Sequence, residues 1–377
     1  MIYLDHAATT ACAPEVVEAM LPHFRGSFAN AASVDHRPGN DARIAVETAR
    51  EAVAALVGAK PEDVVFTSGA TEANNLALSL SSRVLTTRLE HPSILDTFLA
   101  RRNDVDSFIA TDSRGLVDLN ALSAQLADGV ETLVSVIATN NETGVEQDIE
   151  SLTRLVSKAK SMLHIDGTQA VGTRSFQLDR DAGLVAISLS AHKIRGPKGV
   201  GALVGSPAYR RRIKAVQLGG GHERGLRSGT LNVPAIVGFG VAAAITESDR
   251  LKNRAHLARL RSVFVEHLAE QLGHVVRETI EGASISPHIA SLRFENTNAR
   301  ALLRSLRDEV AFSLGSACAT NKAEPSHVLI GLGLDKRTIS QTVRFSFSTE
   351  QTVETVNAAA TQVVNTVRDL ADYSLTA

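Results

Sequence analysis

The chain has 377 residues, 44% of them apolar and 21% charged, with 39 basic against 41 acidic side chains and a formal net charge of −2. That length predicts two domains; the balanced charge excludes a polybasic nucleic-acid binder, and no apolar run reaches the ~18 residues of a membrane span. Two cysteines, Cys12 and Cys318, are too few for a disulfide scaffold and predict a reducing, cytoplasmic setting, and Asp5, His6 and Thr9 arrive too early for a signal peptide.

In chain order, the first helical pattern covers residues 44–57, where Ala45, Ala49, Ala52, Val53 and Leu56 recur at helical spacing and Gly58 can end it. From there to about residue 240, short apolar runs alternate with helical patterns, the mark of a parallel sheet with crossover helices. Strands are predicted at 63–67, 83–87, 131–139, 162–166, 185–189 and 201–204. A polar helical stretch at 247–272 reads as a connector. Beyond it come a strand at 289–294, a helix near 299–308, a strand ending at 343–347 and a helix from Gln351. The division expected is a large domain over 15–250 and a smaller α+β domain made of 1–14 and 251–377.

Ligands in open α/β sheets bind beyond the carboxyl ends of the strands, so the residues after each predicted strand matter most. Ser68-Gly69-Ala70-Thr71-Glu72 follows the first and opens a helix, whose free N–H groups and dipole suit a phosphate. His91 follows the second, and Asn140-Asn141-Glu142 the third. The fourth ends on Asp166 with Gln169 just beyond, and the fifth runs into Ser190, His192 and Lys193. Each has an ordinary reading as a cap, a turn or a solvated lysine. Together they bring a phosphate nest, an imidazole, amides, a carboxylate and an amine to one rim. Pyridoxal 5′-phosphate (PLP) needs that inventory: an amine, a carboxylate for its pyridinium nitrogen, a phosphate cradle and a flat group against the ring. Dinucleotide, P-loop and metal readings are weaker, because the glycines at 196–205 have the wrong spacing and no Cys/His cluster has ligand spacing.

These residues form an ordered series. It runs from Asp5-His6-Ala7-Ala8-Thr9-Thr10 and Thr67-Ser68-Gly69-Ala70-Thr71-Glu72 through Glu90-His91, Asn140-Asn141-Glu142, Asp166-Gly167-Thr168-Gln169 and Ser190-Ala191-His192-Lys193. Gly219-Gly220-Gly221-His222-Glu223-Arg224-Gly225, Arg227-Ser228-Gly229-Thr230 and Ser316-Ala317-Cys318 continue it. The series closely resembles the cysteine desulfurases of the NifS/IscS type, within the class V aminotransferase family of PLP enzymes. The resemblance implies the PLP-dependent transferase fold (fold type I), α/β, with a mostly parallel seven-stranded sheet and a smaller α+β domain. It implies that Lys193 carries the cofactor and moves protons, that Asp166 pairs with the ring nitrogen and Gln169 with the phenolic oxygen, and that His91 stacks on the ring. Ala70, Thr71, Ser190 and His192 would hold the phosphate, and Thr230 would reach the phosphate of a second subunit in a homodimer. Asn141 would lie near substrate and cofactor, and Arg344 would clamp the substrate carboxylate through its planar fork.

Cys318 sits in a small, polar stretch, Ser313 to Pro325, that predicts a mobile loop and not core. By the resemblance its thiolate takes sulfur from L-cysteine as a persulfide, releases L-alanine and hands the sulfur to an acceptor protein. That acceptor could serve iron–sulfur assembly, tRNA thiolation or DNA phosphorothioation, with no direct nucleic-acid or membrane binding by this chain. Lys322 is a candidate for lowering the thiol pKa; Cys12, without a basic neighbour, reads as structural. The chain ends soon after its last helix, where housekeeping members continue into an extension that helps dock an iron–sulfur scaffold, which leaves that partner open. The rival readings are a selenocysteine lyase or other class V lyase or aminotransferase, which needs no loop thiol, and a catalytically silent sulfur-relay scaffold.

Overall fold

Runs rich in Val, Leu, Ile and Thr pair into three sheets in the computed structural model, which describes residues 1–80, 83–102, 108–178, 185–314 and 325–376. In chain order the strands are β1 (Ile2–Tyr3), β2 (Val64–Thr67), β3 (Arg83–Thr86), β4 (Thr132–Ile137), β5 (Met162–Asp166), β6 (Val185–Ser190), β7 (Gly201–Gly205), β8 (Val276–Glu278), β9 (Ile289–Phe294), β10 (Val310–Ala311) and β11 (Thr342–Ser346). The main sheet has the order β2-β7-β6-β5-β4-β3. Strands β3 to β6 run parallel, and β7 is antiparallel to β6 and β2. Every residue of β4, β5, β6 and β7 is buried, as expected of strands covered on both faces.

The expected seven-stranded sheet is corrected to six strands among the described residues. Phe108 adds a single parallel bridge to Thr86 beyond β3. The chain then leaves the edge, because Asp112 turns it: Oδ1 accepts from the N–H groups of Arg114 and Leu116 at 2.9 and 3.0 Å, and Thr111 bridges back to Val117. Among the described residues no ladder forms there.

The helix expected over 44–57 begins earlier, at Arg37, and ends at Leu56. Pro38 suits its first turn and His36 caps it by accepting from the Gly39 N–H at 3.1 Å; that first turn is polar and carried no apolar period. The stretch read as a connector is the second half of a 40-residue helix, Val233–Leu272, started by the Asn232 side chain. Its first half buries Val233, Ile236 and Phe239 in the cluster beneath the main sheet. Its second half buries Leu257, Leu260, Phe264 and Leu268 in a separate cluster with β9, β11 and the helix from Val353. There Phe264 lies 4.8 Å from Phe345 and 5.5 Å from Phe347 between ring centroids. The three-stranded antiparallel sheet β11-β9-β8 belongs to this second cluster, and Leu4, just after β1, packs into it too.

At the outer edge of the main sheet, β2 has its backbone covered by side chains. Glu223 accepts from the Phe66 N–H at 2.7 Å, and Arg50 donates to the Val64 carbonyl at 3.0 Å. Arg50 and Glu223 also pair with two hydrogen bonds of 2.8 and 2.7 Å, with side chains only 4% and 1% exposed. This pins the glycine-rich segment 219–225 to the sheet and closes an edge that would otherwise template pairing. Removing one partner of a buried pair strands the other charge, at a cost of about 3–5 kcal/mol. Arg50→Met is therefore expected to lower the midpoint of urea unfolding sharply, and adding Glu223→Leu should recover part of the loss. An unchanged midpoint in Arg50→Met would contradict this role.

Candidate active site

The last residues of β4, β5 and β6 are Ile137, Asp166 and Ser190, and all three open onto one cavity of about 560 Å³. Strand register sets this alignment, since Asp166 pairs with Ile137 on one side and Ser188 on the other. The same cavity is lined by Ala70, Thr71, His91, Asn141, Gln169, His192, Lys193 and Arg344. The convergence expected from the strand ends is thus what the fold produces.

At one end, the helix Ala70–Ala77 begins against Ser190 and His192. Gly69 precedes it with φ +156° and ψ −179°, a region open essentially to glycine alone. Gly201 on β7 packs against it so closely that a Cβ there would stand 2.7 Å from the Gly69 Cα. The backbone is thereby drawn down, leaving the first N–H groups of the helix facing the cavity. His192 bonds Thr9 Oγ1 through Nδ1 at 3.0 Å, and burial lowers its pKa to about 4. It is neutral at pH 7.

Across the cavity floor, Asp166 is 3% exposed and accepts from the Asn74 amide at 2.8 Å and the Thr168 N–H at 3.0 Å. Lys193 lies on the short turn Ala191–Lys193 after β6, and its Nζ donates to the carbonyls of Ala7 and Ala8 at 2.5 and 2.9 Å. Gln169 donates to the same Ala7 carbonyl at 2.8 Å. His288, neutral because burial pushes its pKa down to about 3, meets Gln169 Oε1 through Nε2 at 3.1 Å and Ser286 through Nδ1 at 2.9 Å. Gln169 thus presents its oxygen to His288 and its amide nitrogen to the Ala7 carbonyl, which also lines the cavity. His91 stands on the wall, with its pKa lowered first by burial.

Arg344, on β11, is 2% exposed, yet reaches the cavity. Its Nη1 donates to the Asn141 carbonyl at 2.7 Å and its Nη2 to Asp5 Oδ1 at 2.6 Å, while its Nε is without a hydrogen-bond partner. Asp5 therefore orients the guanidinium, a role the sequence reading did not assign. Nearby Glu142 is buried and accepts from Ser326 Oγ.

The donor set fits PLP. It offers a helix N-terminus with hydroxyls for a phosphate, a buried carboxylate for a ring nitrogen, an amine in the same cavity and a neutral imidazole on the wall. Comparison with known proteins agrees. Residues 2–358 match the model of the aminotransferase class-V family. The chain is 39% identical to cysteine desulfurase IscS of Vibrio vulnificus (strain CMCP6), over 99% of this chain and 94% of that one. Among solved structures it resembles a NifS-like protein from Rickettsia africae ESF-5, with a TM-score of 0.88 and 30% identity over 98% of this chain and 99% of the other. It also resembles SspA in complex with cysteine, with a TM-score of 0.79 and 29% identity over 93% and 100% of the two chains. This chain belongs to the class V aminotransferase family, among its cysteine desulfurases of the NifS/IscS type.

Not every residue expected at the site lies on this desulfurase cavity. Thr230 is exposed and does not line it. Cys318 and Lys322 lie outside the described residues. Cys12 is partly buried, packs against the main core and has a thiol pKa raised by burial. Asn140 is a turn residue, its side chain accepting from the N–H groups of Glu142 and Thr143 at 2.9 and 3.0 Å.

Burial raises the Glu142 pKa from 4.5 to about 7, against the opposing pull of Ser326 and Arg344. The folded carboxyl keeps its proton up to about pH 7, where the unfolded one has lost it above 4.5. Its stabilising contribution is therefore full in acid, declines as pH rises from 4.5 towards 7, and is gone above. Glu142→Gln should remove that decline, shrinking the stability drop between mildly acid and mildly basic buffer by about 2 kcal/mol. Urea titrations at the two pH values check this; an equal drop in both proteins would contradict it.

Proposed function

We propose that this chain converts L-cysteine to L-alanine on bound PLP and takes the sulfur onto Cys318 as a persulfide for delivery to an acceptor protein. The observation that carries the reading is the meeting of Lys193, Asp166, His91 and Arg344 on one cavity. Its setting in the chain is a large domain, 15–250, with a small domain of 1–14 and 251–377 supplying Arg344.

When bound, PLP supplies an electron-withdrawing ring that makes the substrate α-carbon acidic. Asp166 would hold the ring nitrogen, Gln169 the phenolic oxygen, and His91 the ring face. Ala70, Thr71, Ser190 and His192 would take the phosphate. Lys193 would anchor the cofactor and carry protons to and from the α-carbon, released for this from the Ala7 and Ala8 carbonyls. Arg344 would bind the substrate carboxylate with the N–H groups that Asp5 and Asn141 leave over, and Asn141 would border the substrate. Cys318 then attacks the substrate sulfur as thiolate. The carbon–sulfur bond breaks as the sulfur–sulfur bond forms, so that L-cysteine and a thiol give L-alanine and a persulfide.

A homodimer fits the surface. Phe24, Phe28 and Leu218 are 61%, 76% and 82% exposed, and Leu218 and Thr230 flank the glycine-rich segment, from where Thr230 would reach a second subunit's phosphate site. The two cysteines suit a reducing, cytoplasmic compartment, and no helix among the described residues is long and apolar enough to cross a membrane.

Protein loaded with PLP should form equimolar alanine and releasable sulfur from L-cysteine. Cys318→Ser should retain the cofactor and lose alanine formation; normal turnover in that variant would overturn the persulfide step. Arg344→Ala should raise KM for L-cysteine roughly 10- to 100-fold, the worth of hydrogen bonds to a charged group, and an unchanged KM would remove Arg344 from the substrate site.

A further inference from the structure

Asp166 and His91 are joined by a continuous line of hydrogen bonds through two side chains without an assigned role. Asn74, fully buried on the helix Ala70–Ala77, donates from Nδ2 both to Asp166 Oδ2 and to Ser93 Oγ, each at 2.8 Å. Its orientation is fixed by chemistry, because an ionised carboxylate accepts only and must face the amide N–H groups. Ser93 Oγ, having accepted from Asn74, lies 2.8 Å from His91 Nδ1 with its own proton available for that nitrogen. The backbone N–H of Ser93 points at the same nitrogen at 3.1 Å. Because a backbone N–H can only donate, Nδ1 is the acceptor, the hydroxyl proton turns to it as well, and the proton of the neutral ring is on Nε2.

Asn74 is not there for its own satisfaction. Its Oδ1 is buried with no hydrogen-bond partner, a cost an apolar side chain would avoid. What the amide contributes is its two donors. The Thr168 N–H holds the other carboxylate oxygen of Asp166 at 3.0 Å, so the carboxylate is oriented from both sides.

We propose that Asn74 and Ser93 are positioning residues that couple the Asp166 carboxylate to His91 and hold that ring in the neutral Nε2–H tautomer. The coupling rests on the cofactor reading for its purpose: the group that grips the ring nitrogen and the group against the ring face would be set by one hydrogen-bonded unit. Its physical content does not need the cofactor. The charged and titratable groups around His91 are Asp166, Lys193, His327 and Asp96; burial, Lys193 and His327 favour the neutral ring, against Asp166 and Asp96.

The test uses cofactor-free protein labelled with ¹⁵N-histidine, in which long-range ¹H–¹⁵N spectra report the tautomer of each of the 12 histidines, with His91 assigned from His91→Gln. Wild type should show His91 as the Nε2–H form. Ser93→Ala, which leaves only the backbone N–H on Nδ1, should move the titration of His91 upward and admit a fraction of the Nδ1–H form, and Ser93→Thr should restore the wild-type pattern. Asn74→Leu should release His91 in the same way although Ser93 is intact, and should weaken PLP binding roughly tenfold, as loss of one hydrogen bond to a charged group does. An Nδ1–H ring in wild type, or a His91 indifferent to both Ser93→Ala and Asn74→Leu, would overturn the proposal. A protein with the expected tautomers that bound no PLP would instead refute the cofactor reading and leave the coupled pair standing.

Discussion

A carboxylate buried at the end of the central strand is the constraint from which the rest of the site follows. β5 is flanked by β4 and β6 and buried along its whole length, so Asp166 cannot be hydrated as a surface aspartate would be. Isolated in such surroundings an ionised carboxylate is prohibitively costly. The chain answers with the Asn74 amide and the Thr168 N–H on its two oxygens and with the Lys193 amine across the same cavity. A cationic ring nitrogen is the natural further partner for such a group.

The surrounding histidines sharpen this electrostatic picture. Burial lowers the pKa of His6, His164 and His192 to about 4 and of His288 to about 3, and it lowers that of His91 as well. At pH 7 these rings are neutral and serve as hydrogen-bonding spacers. Among the described residues lining the cavity, Lys193 and Arg344 remain as its cations. Both are held by the N-terminal segment, Lys193 by the Ala7 and Ala8 carbonyls and Arg344 by Asp5. That short arm also docks on the turn bearing Lys193 through Thr10, whose hydroxyl donates to the His192 carbonyl at 2.9 Å. The two positive charges are thus positioned by one segment that crosses between the two apolar clusters.

How much of this was readable before folding depends on sequence distance. Asp166, Ser190, Lys193, Ala70 and Thr71 were legible because each follows an apolar run whose end marks the rim of a parallel sheet. Asp5 was not, since its partner Arg344 lies 339 residues away and only the pairing of β11 with the second cluster brings them together. Asn74 and Ser93 were hidden for another reason. Each sits at an ordinary helical position, and an asparagine facing a core is indistinguishable in sequence from one facing water. Among the described residues the main sheet has six strands and not the expected seven, because at its edge Phe108 makes one bridge before Asp112 turns the chain away, a local event that fold-level expectation does not resolve.

The cofactor site is decided by which amine meets the aldehyde of the cofactor. Incubation with PLP, reduction with borohydride and mass mapping of the peptides should place a single pyridoxyl group on Lys193 in unmodified protein. A label on another lysine, or none after reduction, would contradict the placement of Lys193 opposite Asp166 as the cofactor site.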